Sequence, residues 1–352
     1  MTLKRVFTTL CALGAFLCAF SQPSRPPRPF DSLQPPAHDP AAIRENGTWY
    51  TFCTGFGVDI LSSDDLVTWN RAGRVFDTPP RWAVETVPGY RGHTWAPDIS
   101  FHEGKYYLYY SCSSFGKNDS AIGVATSPSL DPSSTDCKWE DHGCVVRSVG
   151  GRDDWNAIDP NLFVDTDGTP WLAFGSFWSG IKLVKLDSTL TKVAEPQVWF
   201  PLCSRPEGTA ADTSGTDDAI RTDPRGKAFD PGNGAVEAPF IVRRGPWYYL
   251  FVSYDLCCRG PKSTYKTVVG RSESVCGPYY DRDGVSLLEG GGTVVLAPDD
   301  EYTGVGHCSV TSVTGEASHI FFHAYSRVRN YDSVLLVRPI RWSEDGWPSV
   351  EL

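Results

Sequence analysis

The chain has 352 residues, a formal net charge of −10 at pH 7, and an aromatic content of 13%. That length is ample for a sizeable hydrophobic core in one large domain or two small ones. The acidic balance argues against nucleic acid and membranes as partners, because nucleic acid and anionic membrane surfaces attract a basic protein face.

The first 21 residues predict a signal peptide. Lys4 and Arg5 form a basic start, and residues 6–20 form an apolar run that is short for a bilayer span. We expect cleavage after Ser21, which would make the mature protein secreted and extracellular. An uncleaved membrane anchor is the alternative, and it is disfavoured because the Pro-rich segment 22–35 contains no stop-transfer run.

Two of the eleven cysteines, Cys11 and Cys18, belong to this signal, and the other nine can pair in an extracellular protein. Their spacing contains no repeated metal-binding pattern, so we predict disulfides and buried thiols. An odd number leaves at least one cysteine free or paired between chains. Adjacent Cys257 and Cys258 cannot easily reach one partner each on the same side. Sequons for N-linked glycosylation begin at Asn46 and Asn118.

Five stretches of the remaining chain share one pattern. A polar residue precedes a short apolar strand, a turn with glycine follows, and an aromatic-rich strand returns, as in DPNLFVDTDGTPWLAFGS from Asp159. The stretches recur about every 55 to 80 residues, a period typical of four-stranded propeller blades. We therefore predict an all-β fold, a single five-bladed β-propeller over residues 36–352, with a β-sandwich as the alternative. The stretches begin at Asp39, Ala96, Asp159, Glu237 and His307.

The polar residues at the strand starts are candidate catalytic groups. The innermost strand of each blade starts near the central channel, so these side chains should converge at one end of it. Glycoside hydrolysis needs such a cluster, with one carboxyl protonated and another ionised. The alternative is that the acids only cap turns, but three acids at equivalent places in three repeats favour catalysis. The converging residues are predicted to be Asp39, Asp98, Asp159, Glu237 and His307.

The sequence resembles the endo-1,5-α-L-arabinanases of glycoside hydrolase family 43 from about Pro36 to the C-terminus. FGSFWSGI and DLCCRG are the more specific motifs, because they mark the arabinanase branch of the family. The resemblance implies a five-bladed propeller that hydrolyses α-1,5-linked L-arabinan, with inversion at the reacting carbon. The other motifs that carry it are HDPAAI, TWAPDI, NAIDPNLF, VEAPFI and VGHCSV.

The resemblance also assigns roles to four residues. Asp39 matches the general base, Glu237 the general acid, and Asp159 the acid that tunes the pKa of the general acid and orients it. His307 matches a histidine that helps to hold a cation, usually calcium, mostly through water. Imidazole is an unusual ligand for this cation, so a polar plug hydrogen-bonded inside the channel is the alternative for His307. No organic cofactor is expected.

Five further residues are candidates for substrate binding. Trp95, Phe115 and Trp178 flank the acids in sequence, and sugar faces stack on aromatic rings. Core packing is the commoner fate of an aromatic residue, and for Phe115 the two interpretations are balanced. Asn156 and Ser176 are expected to bond sugar hydroxyls, by the same resemblance.

The segment 203–234 is longer and richer in Gly and Asp than the resemblance predicts, and we expect a surface loop that overhangs the cleft. The main hypothesis is thus a secreted, monomeric endo-arabinanase acting on arabinan of plant cell walls. An exo-acting arabinofuranosidase or β-xylosidase of the same fold is the nearest alternative. A propeller that only binds glycans is a third, and a binding module has no need for Asp39, Asp159 and Glu237 together.

Overall fold

The computed structural model describes residues 30–205, 221–222, 228–229, 235–312 and 317–352. Residues Asp31–Leu352 form one compact unit. The predicted signal peptide and most of the 203–234 loop lie outside the described residues. Within the described residues, no helix is long and apolar enough to cross a membrane.

Five antiparallel sheets follow one another along the chain in the arrangement of a five-bladed β-propeller, which confirms the predicted fold and excludes the sandwich. The first sheet consists, in strand order, of Ala41–Glu45, Thr48–Cys53, Asp59–Ser63 and Asn70–Arg74, and the second of Gly55–Phe56, His93–His102, Lys105–Cys112, Ser120–Ser127 and Glu140–Ser148. The third consists of Asn161–Val164, Pro170–Phe174, Ile181–Lys185 and Trp199–Cys203, and the fourth of Val236–Arg244, Trp247–Tyr254, Lys266–Ser272 and Thr293–Leu296. The fifth consists of Tyr302–Ser312, Ala317–Ser326 and Asp332–Pro339.

Several short elements lie outside the five sheets. One α-helix, Arg81–Thr86, and two 3₁₀ turns, Gly260–Lys262 and Leu287–Glu289, lie between strands. Two small ribbons pair outside the blades. The ribbon strands are Arg221–Thr222 with Ala228–Phe229, and Arg341–Trp342 with Pro348–Ser349.

Turn chemistry sets the register of the first hairpins. Asn46 and Gly47 both have positive φ, 49° and 100°, and the pair Glu103–Gly104 repeats this with 47° and 82°. Two central residues with positive φ match the right-handed twist of the strands that they join. The exposed Asn46 thus sits at a hairpin tip, where a glycan has room. Asn118 differs, because it is 4% exposed and its amide donates to the carbonyls of Asp153 and Trp155.

The N-terminal segment completes the fifth sheet. Pro36 bridges to Val334, and the N–H of Leu335 donates to Pro35 O over 2.9 Å. Proline suits this place because an edge strand does not need its missing donor. The two ends of the described chain therefore meet in one sheet.

The hydrophobic core lies between neighbouring sheets. Four buried clusters each combine side chains of two consecutive sheets. The contact between the fifth sheet and the first is aromatic. There Phe321 is fully buried, and its ring centroid lies 5.7 Å from that of Trp49 and 6.3 Å from that of Trp69.

Among the nine cysteines outside the predicted signal, the structure joins Cys257 and Cys258, neighbours in sequence, by a disulfide. The sequence left the disulfide connectivity open and indicated only that these two neighbours cannot easily reach separate partners on the same side. The other seven are free thiols, and four of them are buried. Those four are Cys53, Cys112, Cys203 and Cys308.

We predict that Phe321→Ala lowers the free energy of unfolding by about 3–5 kcal/mol, because it leaves a cavity at the closing contact of the ring. Denaturant unfolding followed by tryptophan fluorescence measures the change. The matched control is Phe101→Ala, because Phe101 is 56% exposed and should cost far less. Equal losses in the two variants would contradict the inference that the closing contact contributes more to the free energy of unfolding than an exposed ring does.

Candidate active site

Each sheet has a residue in the left-handed region of backbone space within its innermost strand or two residues before it. Such a residue other than glycine costs about 1–3 kcal/mol of strain, so its surroundings must hold it there. The kink interrupts the regular alternation of the strand, as the register shifts beside three of these residues show. The residues and their φ angles are Asp39 (52°), Ala96 (41°), Asp159 (59°), Ala238 (58°) and His307 (51°).

The backbone N–H groups of these five residues bond to neighbouring sheets and form a ring. Four of them donate to a side chain at the end of the second strand of the preceding sheet, and Ala238 N–H donates to Asp159 Oδ2 over 3.1 Å. The four bonds run from Ala96 to Thr54 Oγ1 (2.8 Å), from Asp159 to Ser111 Oγ (3.0 Å), from His307 to Ser253 Oγ (2.9 Å) and from Asp39 to His323 Nδ1 (3.1 Å).

The prediction for Asp98 is wrong. Ala96 occupies the position equivalent to Asp39 and Asp159, and Asp98 lies two residues further along the strand. Its carboxylate accepts hydrogen bonds from Asn161 Nδ2 at 3.1 Å and from Leu162 N at 2.8 Å, so it joins the second sheet to the third. Burial raises the pKa of this carboxyl to about 6. The spacing of the repeats could not reveal this offset of two residues.

Asp39 is a buried carboxylate surrounded by donors. Its Oδ2 accepts from Thr54 Oγ1 at 2.6 Å, and its Oδ1 lies 2.8 Å from His38 Nδ1 and 3.1 Å from His307 Nδ1. Burial alone would raise the pKa of Asp39, but the charges and hydrogen bonds of His307 and His38 outweigh it and hold the pKa well below its ordinary value. Asp39 is therefore ionised across the neutral range.

Asp159 and Glu237 have the opposite tendency. Burial raises the pKa of both carboxyls, and the negative charge of Glu237 raises that of Asp159 further. Ser176 Oγ donates to Glu237 Oε2 at 2.8 Å, which offsets part of the shift for Glu237. The pair thus retains a proton to a higher pH than isolated carboxyls do. Asp39 is thus ionised, and the neighbouring pair of Asp159 and Glu237 keeps a proton.

His307 adds positive charge to this cluster. Burial would lower the pKa of its imidazole, but the charges of Asp39 and Asp159 raise it to about 9. Its Nδ1 faces Asp39, and its Nε2 has no hydrogen-bond partner among the described residues. This single nitrogen, Nε2, could be one ligand of a cation whose other ligands are water molecules. Because the raised pKa keeps the imidazole protonated, the cation would have to displace the proton on Nε2.

The five expected substrate-binding residues differ in burial and in their contacts. Ser176 and Asn156 are buried, and Asn156 Oδ1 has no hydrogen-bond partner in the described part of the chain. Trp95 is half-buried, with its indole N–H donating to His93 Nδ1 at 2.7 Å. Phe115 is 64% exposed, which excludes the core-packing alternative.

Trp178 lines a cavity of about 550 Å³ between the second and third sheets. None of Asp39, Asp159 and Glu237 lines this cavity, and Trp178 lies two residues after Ser176, which bridges to Glu237. Trp178 has a φ of 45°, and Phe177 before it has 56°. Backbone strain of this kind is common at functional sites. Here it lies beside Ser176, which bridges to the candidate acid Glu237.

Three contributors were missed by the sequence analysis. His38 stands directly before Asp39 in HDPAAI, so its polar character beside a candidate acid was a signal that could have been followed. Thr54 and His323 gave no such signal, because they end or cross the second strands of the first and fifth sheets. The first hairpin brings Thr54 to Asp39, and closure of the ring brings His323 to it.

A propeller whose axis holds one ionised acid beside a proton-sharing acid pair has the equipment of a glycoside hydrolase. Residues 33–348 match the model of Glycosyl hydrolases family 43, and the chain belongs to that family. This confirms the resemblance seen in the sequence.

Individual relatives are similar over most of their length. The chain is 45% identical over 314 residues to the extracellular exo-alpha-(1->5)-L-arabinofuranosidase ArbA of Cellvibrio japonicus, covering 89% of this chain and 86% of the relative. It is 41% identical over 316 residues to the extracellular endo-alpha-(1->5)-L-arabinanase 1 of Bacillus subtilis, covering 89% and 87%.

Solved structures give the same picture. An exo-1,5-alpha-L-arabinanase from a bovine ruminal metagenomic library has a TM-score of 0.82 and 46% identity, over 93% of this chain and 100% of the other. The alpha-L-arabinanase of Cellvibrio cellulosa complexed with arabinohexaose has a TM-score of 0.81 and 44% identity, over 90% and 96%. The chain is thus a glycoside hydrolase related to arabinan-degrading enzymes.

We predict that Asp159→Asn and Asp39→Asn change stability with opposite dependence on pH. The raised pKa of Asp159 stabilises the fold only below its unfolded pKa of about 3.9, and the effect is lost as the pH rises. Asp159→Asn should therefore gain stability over wild type as the pH rises. The lowered pKa of Asp39 stabilises the fold above about pH 3.9, so Asp39→Asn should lose stability at neutral pH.

Urea unfolding of the chelator-treated proteins from about pH 2 to pH 8 measures both differences, since the contribution of Asp39 is lost below about pH 3.9. Each variant is the control for the other, because both replace a buried carboxylate by an amide of the same shape. Two stability differences that move in the same direction with pH would contradict the division of charge described above.

Proposed function

We propose that the protein is a secreted hydrolase that cleaves α-1,5-linked L-arabinan with inversion of configuration. The observation that carries this proposal is the opposite displacement of the pKa values of neighbouring buried acids, with Asp39 ionised and the Asp159–Glu237 pair holding a proton. Arabinan as substrate is supported by the names of the relatives and by the arabinohexaose complex of a similar structure.

In the proposed mechanism, Asp39 is the general base. Thr54 and His38 fix its carboxylate, which takes a proton from a water molecule as that water attacks the anomeric carbon. Glu237 is the general acid, oriented by the hydroxyl of Ser176, and it protonates the departing glycosidic oxygen. Asp159 keeps this proton available through like-charge repulsion and helps to orient Glu237 and the sugar.

The substrate would be held by the flanking side chains. Trp95, Phe115 and Trp178 offer ring faces at or near the surface for furanose stacking. The unpartnered Oδ1 of Asn156 would accept a hydrogen bond from a sugar hydroxyl or an ordered water, since buried polar atoms are rarely left without one.

Attack on internal bonds is the proposed mode. It is supported by the FGSFWSGI motif, which marks the arabinanase branch of the family, and by the endo-acting relative from Bacillus subtilis. Release from a chain end is the second candidate, because an exo-acting relative is 45% identical and an endo-acting one 41%.

Secretion by the signal peptide 1–21 and action as a monomer complete the proposal. The relatives from Cellvibrio japonicus and Bacillus subtilis are both named extracellular enzymes, which supports export. N-terminal sequencing of the secreted protein would test whether cleavage follows Ser21.

We predict that Glu237→Gln lowers kcat on unactivated linear arabinan by about 10²–10⁴-fold, because the amide cannot donate an acidic proton to the leaving oxygen. Release of reducing ends measures the rate, and circular dichroism checks the fold. Lys105→Gln is the control, because Lys105 is exposed and pairs with His102, six residues along the strand from the channel-facing Ala96. A loss of less than about tenfold would overturn the assignment of Glu237 as the acid.

For the mode of attack, we expect a spread of arabino-oligosaccharides in the first minutes of digestion, together with a rapid fall in the viscosity of debranched arabinan. An open groove admits internal bonds, so chains are cut at many places. Chromatography of early products decides the matter. A single short product from the start, without a fall in viscosity, would establish the exo mode instead.

We further propose that a calcium ion binds at His307, through Nε2 and water ligands, where its charge would favour the ionised form of Asp39. After chelation, added Ca²⁺ should raise the melting temperature of the wild type, with about 2.7 kcal/mol of stabilisation at a hundredfold excess over Kd. His307→Ala should not respond. An unchanged melting temperature of the wild type, or an equal rise in the variant, would contradict calcium binding at this residue.

A further inference from the structure

The vicinal disulfide lies against the residues that support Asp39. Cys257 and Cys258 follow the second strand of the fourth sheet, and Cys258 is exposed. The N–H of Cys258 donates to the hydroxyl of Tyr325 at 2.9 Å. Its Sγ lies 3.9 Å from His38 Nε2. A contact between residues 220 positions apart thus brings two sulfurs to the imidazole beside Asp39.

His38 presents one ring nitrogen to Asp39 and the other toward the sulfurs. Nδ1 lies 2.8 Å from Asp39 Oδ1. Nε2 lies 2.9 Å from the Tyr325 hydroxyl, and that hydroxyl accepts from the Cys258 N–H. A metal-binding histidine commonly bonds its other ring nitrogen to a carboxylate, which is the arrangement of His38 and Asp39 here.

The distances suit a shared cation once the disulfide is opened. The two sulfurs and a nitrogen of His38 all lie within 4.8 Å of one another. A tetrahedral zinc ion with ordinary bond lengths holds a sulfur and a nitrogen about 3.6 Å apart, and two sulfurs about 3.8 Å apart. The sulfur of Cys258 therefore needs little movement relative to His38. The two sulfurs must separate from each other, which reduction allows.

We propose that the reduced protein binds one thiophilic divalent cation, such as Zn²⁺ or Cd²⁺, through Cys257, Cys258 and His38. A phosphine reductant and one water convert the disulfide into two thiols and a phosphine oxide. The cation then replaces the two thiol protons, and Nε2 of His38, unprotonated in the complex, becomes the third ligand in place of its hydrogen bond with Tyr325. A water fills the fourth position of the coordination shell.

Oxidation state thus controls the site, because a disulfide sulfur is a poor ligand and a thiolate is a strong one. Occupation would place a positive charge one residue away from Asp39 and pull His38 toward the sulfurs. The inference does not rest on the proposed function, since cation binding is measured without substrate.

The test compares cation binding before and after reduction. Purified protein is reduced with tris(2-carboxyethyl)phosphine, freed of reductant under nitrogen, and titrated with Cd²⁺ while the thiolate-to-cadmium absorption in the ultraviolet is recorded. We expect the reduced wild type to bind one equivalent more than the oxidised wild type with this absorption. The extra equivalent should vanish in the Cys257→Ser/Cys258→Ser double variant and persist in Cys144→Ser, which removes an exposed thiol elsewhere.

His38→Gln supplies a test that keeps both thiols. Loss of a nitrogen ligand should weaken Cd²⁺ binding by about tenfold or more, because even outer-shell partners of metal ligands are worth 10–100-fold in affinity. The proposal is overturned by an extra equivalent that survives in the double variant, by its absence from the reduced wild type, or by unchanged affinity in His38→Gln. The last two outcomes remain decisive if the double variant does not fold.

Discussion

The left-handed backbone conformation of one residue in or just before each innermost strand is the constraint on which the rest of this molecule depends. Five residues with positive φ are held by bonds from their N–H groups to the neighbouring sheet, so no blade can place its own channel-facing side chain. Asp39 depends on the fifth sheet through His323, and Asp159 depends on the second through Ser111. The position of the acids is therefore a property of the closed ring.

The same arrangement explains why the acids differ in charge. Asp39 receives donors from His38, Thr54 and His307, which lie in three different stretches of the chain. Asp159 accepts through Oδ2 from the N–H of Ala238, which is one of the five residues of the ring. Burial is common to all three acids, so the supply of donors decides which one remains ionised.

The sequence predicted the fold well, because each blade repeats a local pattern of strand, glycine turn and aromatic strand that is visible in a window of about 20 residues. It predicted the proximity of Asp39, Asp159 and Glu237 for the same reason. Asp98 was misplaced because a two-residue offset within a kinked strand leaves the pattern of apolar residues nearly unchanged. The role of His323 could not be predicted from the sequence, since its contact with Asp39 forms only when the ring closes. The bond between Cys257 and Cys258 is local, but the sequence pattern of two adjacent cysteines does not by itself specify their partners.

Closure by the N-terminal segment has a consequence for the order of events during synthesis. The hydrogen bond from Ser333 to Ala37 O links residues 296 positions apart, so the first part of the ring to leave the ribosome must wait for nearly the last. Contacts of such long range slow folding, because the loop between them must be ordered first. Once made, the Asp332–Pro339 strand has an open edge until the N-terminal segment docks on it, and an open edge can pair with another chain. Conditions that delay this docking, or crowd many newly made chains together, should therefore favour association through this edge.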